Sequence, residues 1–529
     1  MEFFKIEEMK NANSENEIKT VYQSCILFFC LVTIFTLLTQ FAKAQFPIKN
    51  LNVVVFTADD LGPDGTGLGA FGAKIKGITP NIDKLADASV RIYNAHVNSA
   101  ICMPSRGIIG TGRYGFNSHH HGFFHAPDSI PTLMESFQKA GYKIGILGKV
   151  YHSSVKNSTV WDYVYDYQDL GSGRSPSKYY EKTKAFVQRC RKENKPFYFM
   201  VNSHDPHRPF QEPDGKLLPG AEMPSRLYSP AESYVPGFLP DIPGVRKEIS
   251  YYYNSVRRLD DTFGKVMQAI KDAGAENNTV IIFLSDNGIS MPFSKANCYL
   301  KSTKTAFFVH LPGILKPLED REHLISSVDL FPTIMDMIGG EKPAGLDGTS
   351  FLPLLEGRKQ SGKDKVFTQI DFLSSNKYWP MRCVQDKSYG YIFNPWSDGK
   401  AAYHNANEGE TFKAMEEEGK TNPQIQARVD MFRYRVPEEF YDLKKDPDCL
   451  HNLVHDKKYA QKLQQYKNKL RVWMQKYHDP VLSVFNELSN PEEMRRQMEI
   501  VYTTQLKHGK NDSKDYAKKI EEMKKHNFE

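Results

Sequence analysis

Apolar positions in the first two-thirds of the chain gather into short uninterrupted runs, each closed by polar residues. Leu51 to Phe56 (LNVVVF), Tyr142 to Leu147 (YKIGIL), Pro196 to Asn202 (PFYFMVN) and Thr279 to Leu284 (TVIIFL) lack the alternation of a half-exposed strand. Runs of this length, rich in β-branched and aromatic residues, predict strands buried on both faces, as in a largely parallel sheet. Phe307 to Leu311 predicts a further strand, closed by Pro312-Gly313. Between the runs the apolar period lengthens. Thr79-Pro-Asn-Ile-Asp-Lys-Leu-Ala starts a helix, Thr132 to Ala140 is amphipathic, and Ile249 to Ala273 sets Val256, Leu259, Phe263, Val266 and Ile270 at helical spacing. Such alternation predicts an α/β fold.

The two ends read differently. From about residue 370 the strands shorten and aromatics become denser, as in Tyr378-Trp379-Pro380-Met381-Arg382. Residues 45–370 therefore read as a main domain and 371–487 as a smaller one, with a helix over 457–479. Residues 488–529 are dense in charge and short of large apolar clusters, which predicts a surface helix or a disordered tail. At the other end, Ser24 to Phe41 (SCILFFCLVTIFTLLTQF) is an apolar core followed by Ala42-Lys43-Ala44. Residues 1–44 thus read as a signal peptide, with a retained signal anchor as the alternative. Either version sends the chain into the secretory pathway, to a lysosomal or extracellular destination. Asn157, Asn277 and Asn511 stand in Asn-x-Ser/Thr sequons.

Composition narrows the chemistry. The chain has 529 residues with a formal net charge of +6, and its basic residues are interleaved with acidic ones. No basic-aromatic stripe suggests nucleic acid; a mild positive excess suits an anionic substrate. Cys25 and Cys30 lie in the signal, leaving Cys102, Cys190, Cys298, Cys383 and Cys449. Five is odd, so at least one lacks an intramolecular partner, and Cys102 is the natural candidate. Pairing among the other four stays open.

Candidate chemistry sits at the strand ends, where open α/β sheets place their ligands. LNVVVF runs into Asp59-Asp60, and TVIIFL into Ser285-Asp286-Asn287-Gly288. Crowded carboxylates repel unless a cation sits among them. An all-oxygen donor set suits calcium or magnesium, and calcium tolerates a looser protein cage. YKIGIL leads to Gly148-Lys149-Val-Tyr-His152, a cation and an imidazole that could meet an anion together. PFYFMVN leads to Ser203-His204-Asp-Pro-His207. Cys102-Met-Pro-Ser-Arg106 starts a helix and is followed by Thr111-Gly112-Arg113. Lys295 follows the fourth strand. His119-His120-His121, Lys301 and Lys304 read as solvated loop residues, with binding of an anionic sugar as the alternative.

Together these residues resemble the sulfatase family, from about Leu51 to Tyr477. Cys102-Met-Pro-Ser-Arg106 is similar to its Cys-x-Pro-Ser-Arg modification signal, Asp59-Asp60 and Asp286-Asn287 to its two metal pairs, and Lys149 with His152 to its Gly-Lys-x-x-His element. His207, in Pro-His-x-Pro, is similar to its leaving-group histidine. Ser327 to Thr333, Leu346 to Pro353 and Glu439 to Pro447 match non-catalytic blocks. His204-Asp-Pro-His-Arg208, Tyr234 to Asp261, Trp379 to Gln385 and His478-Asp-Pro480 look most like the sulfamidase (heparan N-sulfatase) branch. Two positions depart from that branch: Lys149 and His152 are three apart, as in iduronate sulfatases, and Lys295 stands where sulfamidases commonly carry Arg.

The resemblance implies a large mixed, mostly parallel sheet flanked by helices, of the alkaline-phosphatase-like type, with a smaller C-terminal α+β domain. It also implies sulfuric ester or sulfamate hydrolysis on sulfated glycosaminoglycan sugars. Cys102 would be oxidised to Cα-formylglycine by the formylglycine-generating enzyme, because a geminal diol has a second hydroxyl that can expel sulfate whereas a thiolate adduct does not. Ca²⁺ would be held by Asp59, Asp60, Asp286, Asn287 and residue 102. Arg106, Lys149 and Lys295 would neutralise the sulfuryl oxygens, His152 would assist the second hydroxyl, and His207 would protonate the leaving group, with His204 as second choice or its orienting neighbour. A homodimer is common in the family. A metal-dependent phosphohydrolase and a non-catalytic glycan-binding relative are the rival classes.

Overall fold

The computed structural model describes residues 46–62, 74–508 and 513–527, with five positions between Tyr22 and Phe28. The signal segment and Asn511 therefore lie essentially outside the described residues. The chain divides into residues 1–48 and 49–529, and everything below concerns the second unit.

In chain order the elements that matter are β1 (Asn52–Ala58), α1 (Pro80–Asp87), β2 (Val90–His96), α2 (Cys102–Thr111), α3 (Leu133–Lys139), β3 (Lys143–Leu147), α4 (Val150–Ser153), β4 (Tyr163–Tyr165), α5 (Pro176–Lys192) and β5 (Phe197–Asn202). They continue with α6 (Pro243–Asp272), β6 (Thr279–Ser285), β7 (Lys304–Thr305), β8 (Phe308–His310) and β9 (Leu318–Ser326). The nine strands form one sheet in the order β4-β3-β5-β1-β6-β8-β2-β7, with β9 also paired to β2. The pairs β4–β3, β3–β5, β5–β1, β1–β6 and β2–β9 are parallel. β8 runs antiparallel to β6 and to β2, which makes the sheet mixed. The four runs read from the sequence are thus four adjacent parallel strands, β3-β5-β1-β6, whose carboxyl ends share one edge.

Helices cover the sheet through aromatic contacts. Phe263 on α6 sets its ring edge-on to Phe56 of β1 and Phe283 of β6, with centroids 5.1 and 5.6 Å apart, and Phe283 stacks on Phe308 of β8 at 5.1 Å. α6 starts six residues before the sequence pattern shows it, at Pro243. Proline suits the first helical turn, and Gly244, Arg246 and Lys247 carry no apolar period to announce it.

A second sheet, antiparallel in the order β10 (Val366–Phe372), β11 (Tyr378–Gln385), β12 (Tyr389–Phe393), β13 (Glu438–Asp442), supplies the short strands expected after residue 370. Its side chains share one buried cluster with Ile108 on α2 and with Trp473 of α7 (Ala460–Lys476). Arg382 on β11 is fully buried and holds Asp479 at 2.6 Å and Asp371 at 2.9 Å. The charged end is helical: α8 (Pro491–Gln505) and α9 (Ser513–Lys524) both dock. Tyr516, Ile520 and Met523 of α9 are buried, an i, i+4, i+7 stripe hidden among eight charged or polar residues of the same helix.

One open point is answered here and one expectation changes. Among the described residues the five cysteines Cys102, Cys190, Cys298, Cys383 and Cys449 are all buried and none is disulfide-bonded; they pack as small hydrophobes. His120 and His121 are buried rather than solvated, because His120 lies directly against Gly107 of α2, where a Cβ would come within 2.1 Å of its ring.

Candidate active site

The register of the parallel strands brings the polar residues together. Ala58 lies opposite Ser285, so the residues after β1 and β6 emerge side by side. The Asp59 N–H donates to the Asp205 carbonyl at 3.2 Å, and the Asp286 N–H to the Ala58 carbonyl at 3.1 Å. Asp60 turns into the left-handed region (φ 71°), which Asp tolerates better than bulkier residues. That turn lets its N–H reach Asp286 Oδ1 at 3.1 Å.

Three fully buried carboxylates, Asp59, Asp60 and Asp286, therefore face one another, and three cations answer them. Arg106, on the second turn of α2, donates from Nε (3.1 Å) and Nη2 (2.8 Å) to Asp286 Oδ2, and from Nη1 to Thr57 and Asn202. Lys149 pairs with Asp59, and Lys295 Nζ lies 2.6 Å from Asp60 Oδ1. Burial raises the carboxylates' affinity for protons while the cations lower it. Asp59 is held well below the usual range, chiefly by Lys149 against the effect of burial; Asp286 is driven upward by burial and by the Asp59 charge.

Cys102 begins α2, its Sγ 3.6 Å from Asp59 Oδ1. Burial pushes its thiol up to about 12 despite the nearby Lys295 ammonium. The unmodified side chain is thus a protonated thiol and a poor nucleophile. Gly112 ends α2 in the left-handed conformation (φ 62°).

The histidines divide by role. The His204 ring accepts the Lys149 N–H at Nε2, 3.2 Å away, which ties that nitrogen to the backbone. His207 Nδ1 pairs with the Arg208 carbonyl at 2.7 Å, so it carries the proton and leaves Nε2 facing the site, 3.8 Å from Asp60 Oδ2. Burial and then Lys295 bring His207 down to about 4. His152, one turn beyond Lys149 on α4, is lowered by burial and by Lys149 and packs edge-on against Phe123.

Donor chemistry favours a hard cation. Among the described residues Asp60 Oδ2 and Asn287 Oδ1 are buried and accept no hydrogen bond, while Asn287 Nδ2 donates to Asp60 Oδ1 at 2.7 Å. Ligand atoms of Asp59, Asp60, Cys102 and His207 lie within 4.8 Å of one another. Orphaned carboxylate and amide oxygens at this density fit calcium.

Three residues outside the motifs hold the site. Asn202, the last residue of β5, accepts from Arg106 and donates to the Gly148 carbonyl at 2.8 Å. Arg258 grips Asp205 with two hydrogen bonds, 2.7 and 3.0 Å, and Arg174 donates to the His207 carbonyl at 2.9 Å. Only the position of Asn202 at a strand end marks it in sequence. Lys301 and Lys304 are half-buried.

With this geometry in place, comparison with known proteins is decisive. The sulfatase family model matches residues 51–340. The chain belongs to the sulfatase family. A second model, N-sulphoglucosamine sulphohydrolase, C-terminal, matches residues 290–428. The chain is 30% identical over 444 residues to N-sulphoglucosamine sulphohydrolase of Homo sapiens, covering 76% of this chain and 86% of that one. It is 26% identical over 413 residues to iduronate 2-sulfatase of Mus musculus, covering 59% and 72%. Its fold is shared with a phosphonate monoester hydrolase of Agrobacterium radiobacter, TM-score 0.59 at 19% identity over 81% of this chain and 96% of that one.

The sulfatase's Arg106 generates a prediction about stability. Arg106→Met leaves Asp286 buried without its partner, and loss of one member of such a pair typically costs about 3–5 kcal/mol. Urea unfolding in EDTA should show a lower midpoint for Arg106→Met, recovered in part by adding Asp286→Asn.

Proposed function

We propose that this sulfatase hydrolyses the sulfamate of N-sulfated glucosamine in heparan-type glycosaminoglycans. One observation carries the chemical half of the reading: Cys102 starts a buried helix beside three buried carboxylates, where Asp60 Oδ2 and Asn287 Oδ1 accept no hydrogen bond, faced by Lys149, Lys295 and His207. The substrate half is supported by the likeness to N-sulphoglucosamine sulphohydrolase, which extends through the C-terminal region.

Asp59, Asp60, Asp286, Asn287 and residue 102 would hold calcium, with Arg106 bracing Asp286. When bound, calcium supplies polarisation of a sulfate oxygen and of the nucleophile. Cys102, oxidised to formylglycine by the formylglycine-generating enzyme, would contribute a hydrated aldehyde in place of the inert thiol. Lys149 and Lys295 receive the sulfuryl oxygens, and preorganised charges of this kind often supply ~3 kcal/mol each. His152 takes a proton from the second hydroxyl. His207 gives its Nε2 proton to the departing nitrogen. A His207 lowered to about 4 must gain that proton as the sulfate arrives, since a neighbouring anion favours imidazolium.

The charge balance supports the scheme. Three carboxylates against Arg106, Lys149 and Lys295 sum to zero, so a divalent cation leaves the site positive for an anionic sulfate. An O-sulfatase is the second reading, favoured by the three-residue spacing of Lys149 and His152. Asn157 and Asn277 are exposed, as glycan attachment in a secreted or lysosomal protein requires. The division into residues 45–370, 371–487 and 488–529 and a possible homodimer belong to the same reading.

The purified protein should release sulfate from N-sulfoglucosamine faster than from glucosamine 6-O-sulfate or iduronate 2-O-sulfate. Turnover of an O-sulfated compound alone would replace the sulfamidase reading with the second one. Active protein should carry an aldehyde at residue 102 by peptide mass spectrometry, and intact thiol in fully active protein refutes the proposed nucleophile. Calcium should bind more tightly as pH rises from 5 to 7. Asp286 retains a proton more readily than an ordinary carboxyl, and a cation competes with that proton. Calorimetric titrations at several pH values test this; a flat profile means the ligand set is misassigned.

A further inference from the structure

The C-terminal helix α9 lies outside both family-model matches, residues 51–340 and 290–428, yet it packs beside the turn that carries Lys149 and His152. Tyr516 is fully buried. Its ring lies 4.7 Å from that of His125 and 6.0 Å from that of Tyr151, and His125 and Tyr151 are themselves 4.8 Å apart. Tyr151 directly precedes His152 on the four-residue helix α4. Its hydroxyl donates to the Phe123 carbonyl at 3.2 Å, and the Phe123 ring meets His152. A four-residue helix cannot hold itself in place. Lys149 at its start is in the left-handed region (φ 50°), so the orientation of the turn must come from its neighbours.

The remainder of the tail anchors Tyr516. Asn527, with its side chain fully buried, donates to the Val164 carbonyl at 2.7 Å and accepts the Val164 N–H at 2.8 Å. It thereby satisfies backbone groups on β4, the edge strand, which would otherwise be open to other chains. Met523 Sδ accepts the Trp161 N–H at 3.4 Å, and Lys524 pairs with Asp169 at 2.6 Å. Lys519 donates to the Asn157 carbonyl. These contacts lie along β4 and the segments flanking it, where Trp161 in turn donates from its indole Nε1 to Ser154 Oγ at 2.9 Å, at the end of α4.

We propose that Tyr516 is a positioning residue for sulfate hydrolysis. Through Tyr151 and His125 it fixes the turn that presents Lys149 and His152, and the C-terminal helix is a working part of the active site. Tyr516 touches no reacting atom, and the proposal rests on the sulfatase reading of Lys149 and His152. Displacement of a catalytic group by about 1 Å lowers turnover up to ~100-fold, and a charge still in reach of the anion keeps binding.

The test uses the full-length protein. Tyr516→Ala should lower kcat about tenfold while KM changes less than about twofold, and Tyr516→Phe, which keeps the ring, should restore kcat. Hydrogen exchange at the amides of Ser153 and Ser154, which close α4 onto the Lys149 and Val150 carbonyls, should quicken in Tyr516→Ala. Asn527→Ala serves as the comparison, since it releases the same tail from the Val164 backbone groups on β4. It should lower Tm with kcat retained. An unchanged kcat in Tyr516→Ala, or an equal loss of kcat in Asn527→Ala, overturns the proposal and leaves the helix a purely structural element. A wild-type protein that releases no sulfate defeats the functional reading instead, and the exchange measurement then decides the positioning role alone.

Discussion

Three carboxylates crowded into a dry space at the ends of β1 and β6 constrain everything around them. Asp59, Asp60 and Asp286 are all fully buried, and mutual repulsion at low dielectric is severe unless each charge finds a partner. The rest of the site is built to supply partners. α2 is aimed so that Arg106 reaches Asp286, the turn after β3 delivers Lys149 to Asp59, and the loop after β6 returns Lys295 to Asp60. A catalytic centre and a folding constraint are here one arrangement. That is why the groups expected to act on substrate are also those whose removal leaves buried charge.

Much of this was legible in the sequence, for a physical reason. A strand buried on both faces must be apolar along its length, so β1, β3, β5 and β6 announced themselves. Parallel strands present their carboxyl ends on one edge, so the polar residues after each run could be assigned to one place before any contact was known. What could not be read was long-range. Asn202 links Arg106 to the Gly148 carbonyl, but a lone Asn at a strand end has many explanations. Arg258 is buried on Asp205 from the middle of an amphipathic helix, where a charged residue reads as solvent-facing. Arg106, expected at the sulfate, has most of its N–H groups on Asp286, Thr57 and Asn202. The tail misleads by composition, because three apolar residues of α9 find a ready-made surface.

Fold and chemistry part company at the level of the comparisons. A phosphonate monoester hydrolase shares the architecture over most of this chain, so the sheet alone names no bond to be broken. Discrimination lies in the residues at its edge. Here those are a cysteine at the start of α2, an amide beside the carboxylates and an imidazole with its Nε2 turned inward.

The burial of Cys102 has a consequence in time rather than in space. At 3% exposure, flanked by residues of a helix buried along its whole length, the thiol is beyond the reach of any enzyme once α2 has docked. A modification of that side chain must therefore win a race against folding. If residue 102 works as the proposed formylglycine, chains that close too early would be well folded and inactive. On that reading the active fraction would be set during synthesis, by how long this one segment stays extended.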